Sequence, residues 1–540
     1  MSASTDSSAT HVDVGSENEV PQLSALFLIK FDKKVGYTVA WKRSSVDVPL
    51  DGAVEFKSLP SGLHTVKSDL VYFIHESYAG LSAFVNGPAS EAERNAQFVA
   101  VGILVPLSYG RLGRSWLHAP RLQKMASSLA DDPTATAPLE EFWEEQLKPR
   151  ASGSAPKSEQ PKGHSRERAL STITAVMQSD QSLPPFHPAL SIIDYIDVFG
   201  PLVFRLQQAA LLRKRILFVG APPVRATCEF VYNLSVLASI PSSLNELLAP
   251  GTEGLLRLRS LFSVGIHDIP LLEKLGPSGN GDAISPEHEP SSRGWVACTT
   301  DEIIATKTKL YDIIVEIPHS YDAPPAERRW PTIKTSDGTL VKASQRDVWR
   351  YKLLHHELWK YRHSSSGANG NAESEDDRTA LLARSESGDA DADFNEQYDE
   401  AVVESTTWSR LAYSGFMWWA SAGETDAYMT KERERDREVL GDLSSYEEGL
   451  HTAIIAYFHR GTAQLINNLH ALVEGADDDT ASDDDDVLAV SRDDISRIGM
   501  DTWSEADKAF VQEFLWMYFE RRAEVDGANL DCCGLRIPIF

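Results

Sequence analysis

The pattern of apolar and polar positions changes period several times along the chain, and each change predicts an element. In Leu211–Pro241 the run Ile216-Leu217-Phe218-Val219 is apolar without alternation, which fits a strand covered on both faces. Gly220-Ala221-Pro222-Pro223 stops it, and an apolar helical pattern follows. Ahead of it, Ile192, Ile193, Ile196, Phe199, Leu202, Val203 and Leu206 recur at three-four spacing, a buried helical face with a break at Gly200-Pro201. Further strands are predicted near Leu261–Val264, Trp295–Cys298 and Tyr311–Ile317. A helix between the last two is announced by Thr299-Thr300-Asp301-Glu302, a capping-box spacing. Strands alternating with helices predict a mostly parallel sheet covered on both faces.

Toward the N-terminus, ALFLIKFD and YTVAWKRS, joined by a short glycine-containing loop, predict a hairpin. Strands at Asp69–Glu76, Gly80–Asn86 and Phe98–Pro106 and helical patterns at about 111–130 and 138–147 follow. After Ile317 the strand signal fades; Gln345–His363 reads as a helix, and from Ser405 onward the patterns are helical. Composition marks the joints. Residues 1–22 are polar and acidic, 148–183 rich in proline, serine and charge, and 364–404 acidic and poor in aromatics, so they read as a disordered tail, a linker and a disordered acidic linker. SGNGDAISPEHEP, within 271–294, reads as a loop. The expected organisation is α/β: an N-terminal lobe over 23–147, a central lobe over 184–320, a helical connection over 321–363 and a helical region over 405–540.

The formal charge of −27 argues against a nucleic-acid backbone or an anionic membrane as the main partner. Cys228, Cys298, Cys532 and Cys533 are too few and too poorly spaced for a disulfide framework or a zinc site, which suits a reducing compartment. Ser2 stands where myristoylation needs glycine, and no apolar run reaches the roughly 18 residues of a membrane span. A cytoplasmic protein is expected, reaching endomembranes only through a partner or a lipid.

Catalytic chemistry finds no foothold. A phosphate loop needs several glycines and a Lys-Ser/Thr pair; here one glycine precedes Pro222 and Pro223, which donate no N–H. His355-His356-Glu357 lacks the second histidine of a metalloprotease helix, because Lys360 stands in its place. Ser82 lacks the second glycine of a nucleophile elbow, and Asp483–Asp486 lacks the alternating ligands of a calcium loop. No covalent catalysis, metal or cofactor is expected. Two features carry alternatives. Arg213, Lys214 and Arg215 either pair with local carboxylates at the end of a helix or contact an acidic partner or lipid headgroup. Cys532 and Cys533 are either acylated or packed in the core with the adjacent GLRIPIF.

Taken together, a set of motifs resembles the DENN-domain family, and within it the branch of DENN domain-containing protein 11 and its fungal counterparts. They are Val54-Glu55-Phe56-Lys57-Ser58 with Gly62, His64, Ser68-Asp69 and Tyr72-Phe73; Gly80-Leu81 with Ala83-Phe84; Val101-Gly102-Ile103-Leu104; Leu211 to Leu217 followed by Pro222-Pro223-Val224; and Val296-Ala297-Cys298-Thr299-Thr300 running to Leu310-Tyr311-Asp312. The Phe510 to Tyr518 helix and Cys532-Cys533 look like the family's end, and TTWSRLAYSGFMWWASAGE like a fungal-type extension. The resemblance implies a tripartite DENN module: an N-terminal longin-like lobe, a central mostly parallel α/β lobe and a helical C-terminal part. It also implies guanine-nucleotide exchange on a Rab-type small GTPase in membrane traffic; the alternative is a non-exchanging Rab-binding adaptor or scaffold. On the residues themselves, Val54–Ser58, Ser68, Asp69, Pro222, Pro223, Cys298, Thr299 and Thr300 read as structural.

Overall fold

The computed structural model describes residues 20–32, 34–87, 97–132, 134–147, 183–276, 294–321, 329–366, 402–406, 410, 427–441, 449–479, 487–525, 529–532 and 535–538. The linker after 147, the loop between 276 and 294, most of the acidic stretch before 402 and nearly all of TTWSRLAYSGFMWWASAGE lie outside them.

β1 (Ala25–Asp32) and β2 (Gly36–Ser44) form the hairpin that their alternation predicts, and helix α1 (Val54–Ser58) leads into β3 (Ser68–His75). β4 (Tyr78–Gly87) and β5 (Gln97–Pro106) complete an antiparallel set in the order β2-β1-β5-β4-β3. Gly80 is required within it: a Cβ there would meet the Phe73 ring at 2.2 Å. α2 (Ala119–Asp131) packs on β4 and β5 through Leu122, Met125, Ala126 and Leu129, and α3 (Ala137–Leu147) follows.

In the central stretch α4 (Ile192–Phe199) and α5 (Leu202–Leu211) are separated at Gly200, whose φ of 53° ends the first helix. β6 (Ile216–Val219), α6 (Val224–Leu237), β7 (Arg259–Ser263), α7 (Ile269–Lys274), β8 (Trp295–Thr299), α8 (Glu302–Ala305) and β9 (Ile313–Glu316) then alternate. The four strands are parallel, in the order β7-β8-β6-β9. Both faces are covered. Ile216 and Phe218 enter the main core, whereas Leu217 enters a second one with Leu261, Leu272, Trp295 and Ile304. That two-sided burial is why β6 has no alternation.

The antiparallel and parallel sets form one sheet. β3 pairs with β7 at Phe73↔Phe262, giving ten strands closed at the far edge by β10 (Thr332–Thr335). β10 leaves no signal in the sequence, because the four residues TIKT carry too little periodicity. The C-terminal region holds helices α9 (Gln345–Ser366), α10 (Ala427–Leu440), α11 (Leu450–Asp479), α12 (Arg492–Arg497) and α13 (Glu505–Phe519), but it is not wholly helical. β11 (Val487–Val490) pairs in parallel with β12 (Arg522–Val525), and β13 (Asn529–Cys532) pairs with β14 (Leu535–Pro538). These strands too are four residues each and were hidden for the same reason.

The C-terminal helices are fastened to the centre by buried charge. Arg205 of α5 is almost wholly enclosed and bonds to Asp507 at 2.6 Å, Asp347 at 3.1 Å and Glu404 at 3.1 Å. Its remaining donors reach Lys342 O, Gln208 Oε1 and Ser504 Oγ. Asp347 also closes a capping box with Ser344 at the start of α9. A second guanidinium, Arg346, bonds to Asp436 and to the carbonyls of Ser496 and Met500. Replacing Arg205 with Met leaves three carboxylates without their shared cation and is expected to cost about 3–5 kcal/mol, read as a lower urea midpoint at an unchanged slope.

Candidate functional site

Parallel strands β6, β7 and β8 end together, at Val219, Ser263 and Thr299. Because β3 runs antiparallel to β7, its first residues, Ser68 and Asp69, come to that same carboxyl edge. In open α/β sheets the crevice outside such an edge is where ligands and partners are met. Motif residues more than 150 positions apart in the chain converge here.

Asp69 organises the first part of the edge. Its side chain is buried and accepts from the backbone N–H of Val224 at 2.5 Å, Arg225 at 3.2 Å and Leu70 at 2.8 Å. A carboxylate from a distant strand thus caps helix α6, a task that Pro223 at the N-cap position cannot do. Gly62 sits against the Pro222 ring, where a Cβ would stand 3.1 Å away. Burial pushes the Asp69 carboxyl up to about 6, against the lowering effect of the three N–H donors and Arg225. The helix terminus that resembles a phosphate site is occupied internally: the prolines donate nothing, and Asp69 takes the two N–H groups that follow.

The second part is bracketed by Asp301. Its carboxylate accepts from Ser61 Oγ on one oxygen and from Ile266 N, at 3.3 Å, on the other. The capping-box reading is corrected: the N-cap of α8 is Asp301 and not Thr299, no side chain caps the helix, and Thr299 Oγ1 accepts from Asp301 N instead. Lys57 Nζ binds Asp268 at 2.8 Å and Ile74 O at 2.7 Å, and the Phe56 ring stacks on His267 at 3.8 Å between centroids. Three segments are therefore locked together: α1 and its following turn, the turn after β7, and the turn after β8. From the turn after β7 and from α8 project two aliphatic side chains that a core would normally claim, Ile266 at 42% and Ile303 at 58% exposure. The sequence gives no signal for these two, because in elements of three or four residues periodicity does not separate an exposed isoleucine from a buried one.

The other motif residues support this edge from within. Val54, Glu55 and Ser58 are buried in α1, where Glu55 accepts from Gly52 N at 2.9 Å. Ser68 is exposed. Thr299 Oγ1 accepts from Asp301 N at 3.1 Å, its carbonyl accepts from Gly220 N at 3.2 Å, and Thr300 follows at the strand end. Cys298 and Cys228 place their thiols 3.5 Å apart in the core, and burial holds the Cys298 thiol well above its ordinary pKa.

Arg213, Lys214 and Arg215 are not brought to this edge or to one common surface. Arg213 is buried and donates to the carbonyls of Leu255, Ala210 and Ala238, closing the ends of α5 and α6. Gly294 must lack a side chain there, since a Cβ would stand 2.0 Å from Arg213 O. Arg215 is buried and forks onto Asp312 while donating to Lys309 O and Leu310 O. Lys214, half-buried, pairs with Glu513 of α13. Lys214 and Arg215 thus face carboxylates from distant parts of the chain, whereas Arg213 faces backbone carbonyls. For Cys532 only the backbone is described, in β13, and Cys533 lies outside the described residues. Among the described residues no group of three histidine, cysteine or carboxylate side chains is placed to hold a metal, and no helix is long and apolar enough to cross a membrane.

Comparison with known proteins matches residues 26–326 to the family model of DENN domain-containing protein 11. A second model, a domain of unknown function (DUF4484), matches 403–489 and 478–538. DENN domain-containing protein 11 of Danio rerio is 33% identical over 303 residues, covering 55% of this chain and 54% of that protein. Its counterpart in Xenopus laevis is 34% identical over 299 residues, covering 55% and 60%. The chain thus spans little more than half the length of these vertebrate relatives. The uncharacterized protein ANR2 of Saccharomyces cerevisiae is similar end to end, 23% identical over 562 residues and 96% of each chain.

The Asp69 cap yields a pH-dependent expectation. Its raised carboxyl means that the folded state holds the proton more tightly than the unfolded chain. Its contribution is therefore fully present below about pH 4 and is lost as pH rises through about 6. Asp69→Asn should remove that slope from a stability–pH curve. Asp69→Ala, which orphans two buried N–H groups, should lower stability by about 1–3 kcal/mol at pH 7 by denaturant titration.

Proposed function

The chain belongs to the DENN domain-containing protein 11 family, and from that membership we propose that it is a guanine-nucleotide exchange factor for a Rab-type small GTPase in membrane traffic. The observation that carries the reading is the carboxyl edge. It is rigidly built by Asp69, Asp301 and Lys57–Asp268, and it exposes Ile266, next to the Phe56–His267 stack, and Ile303, two residues after Asp301. An exchange factor needs that combination. It binds the nucleotide-free GTPase more tightly than the loaded one, so its differential affinity lowers the barrier to GDP release without a covalent step. Apolar groups on a pre-organised surface supply such affinity with little ordering cost.

The test is a panel of Rab proteins loaded with fluorescent GDP. Release accelerated for one or a few members supports exchange, and binding without acceleration supports an adaptor role instead. For the member that responds, the double variant Ile266→Asp, Ile303→Asp should slow release about tenfold or more while leaving the thermal midpoint unchanged, because both side chains are exposed. Unaltered release would place the docking face elsewhere.

A further inference from the structure

Residues 402–406 cross the junction between the centre and the C-terminal helices as a short strap. Acidic composition places the start of this segment in a linker, yet Val402 is buried. Ala343 N donates to Val402 O at 2.8 Å, Glu404 N donates to Ala343 O at 2.9 Å, and Gln345 Nε2 donates to Glu404 O at 3.0 Å. One side chain fixes the strap to the junction: Glu404 Oε1 accepts from Arg205 Nη2 at 3.1 Å and from Ser504 Oγ at 3.0 Å.

The charge around that contact is out of balance. From α5 comes one cation, Arg205, with the neutral Gln208 amide beside it. From α9 comes Asp347, from α13 Asp507, and from the strap Glu404 itself. Three carboxylates converge on one guanidinium, and Arg350 offsets Asp347 only in part. Asp347 and Asp507 are enclosed, whereas Glu404 keeps a third of its side chain in solvent and is the member that can exchange a proton. We infer that the Val402–Thr406 strap is a pH-sensitive clip, seated while Glu404 carries a proton and loosened when Glu404 ionises. In keeping with this geometry, burial raises the Glu404 carboxyl to about 7, with Arg205 and Ser504 opposing and Asp507 and Asp347 adding to the rise.

The sign follows from linkage. A carboxyl raised in the seated state favours seating at low pH and loses that contribution as pH rises through about 7. The clip does not depend on the exchange reading, since it lies at the junction and not on the carboxyl edge. The experiment is hydrogen–deuterium exchange of the full chain, following the peptide that contains 402–406 with a β1 peptide as internal reference. After correction for the intrinsic rate, strap opening should increase about tenfold between pH 6 and pH 8 relative to β1. Glu404→Gln, which keeps the acceptor oxygen and stays neutral, should hold the strap closed and flatten the profile. Ser504→Ala should raise opening at every pH without removing the slope. An identical pH slope in wild type and Glu404→Gln, or no wild-type slope relative to β1, overturns the clip. If Glu404→Gln fails to fold, the wild-type slope alone decides.

Discussion

A single buried cation sets the terms for the whole assembly. Arg205 sits on a helix that belongs to the central sheet, and apart from the Gln208 amide of its own helix its guanidinium faces groups from other parts of the chain. Enclosing such a cation costs several kcal/mol unless its hydrogen bonds are complete. They are complete only when α9, the strap and α13 have all arrived. The arrangement therefore specifies one way of docking the C-terminal helices more than it adds net stability.

The same logic recurs at the sheet. Two strand sets of different habit, one antiparallel and one parallel, meet through a narrow register at Phe73 and Phe262. Backbone pairing that short holds little by itself, and side chains reinforce it at the carboxyl edge. Asp69 reaches from β3 to α6, Lys57 from α1 to Asp268, and Ser61 to Asp301. What makes the edge rigid is thus what joins the two halves. A surface built this way can present exposed aliphatic groups without collapsing onto them.

How much of this was legible follows from which physical signal each feature leaves. The unalternating β6, the helix break at Gly200 and the alternating hairpin were legible because burial on one or two faces imposes a period on neighbouring residues. The four-residue strands were not, because a pattern needs length. Asp69 was visible as a motif member but not as a helix cap, since its partners lie 155 residues away. Arg213 and Arg215 look like surface charge in a sequence, where nothing reveals that carbonyls and Asp312 enclose them. Composition misled at the strap, because three ordered residues leave no mark within an acidic stretch. Ile266 and Ile303 left no trace, as their exposure is set by how such short elements are placed and not by the residue.

The distance in sequence between Arg205 and its partner Asp507, 302 residues, has a consequence in time. At about 5–20 residues per second, a ribosome needs about 15–60 s to deliver the second after the first. Through that interval the central sheet can form around its own strands, but one of its helices carries a cation whose Asp507 partner has not yet been made. Completion of the junction is thereby tied to the synthesis of α13, and a chain cut short before it would keep Asp347 and Glu404 but leave Arg205 without its Asp507 partner.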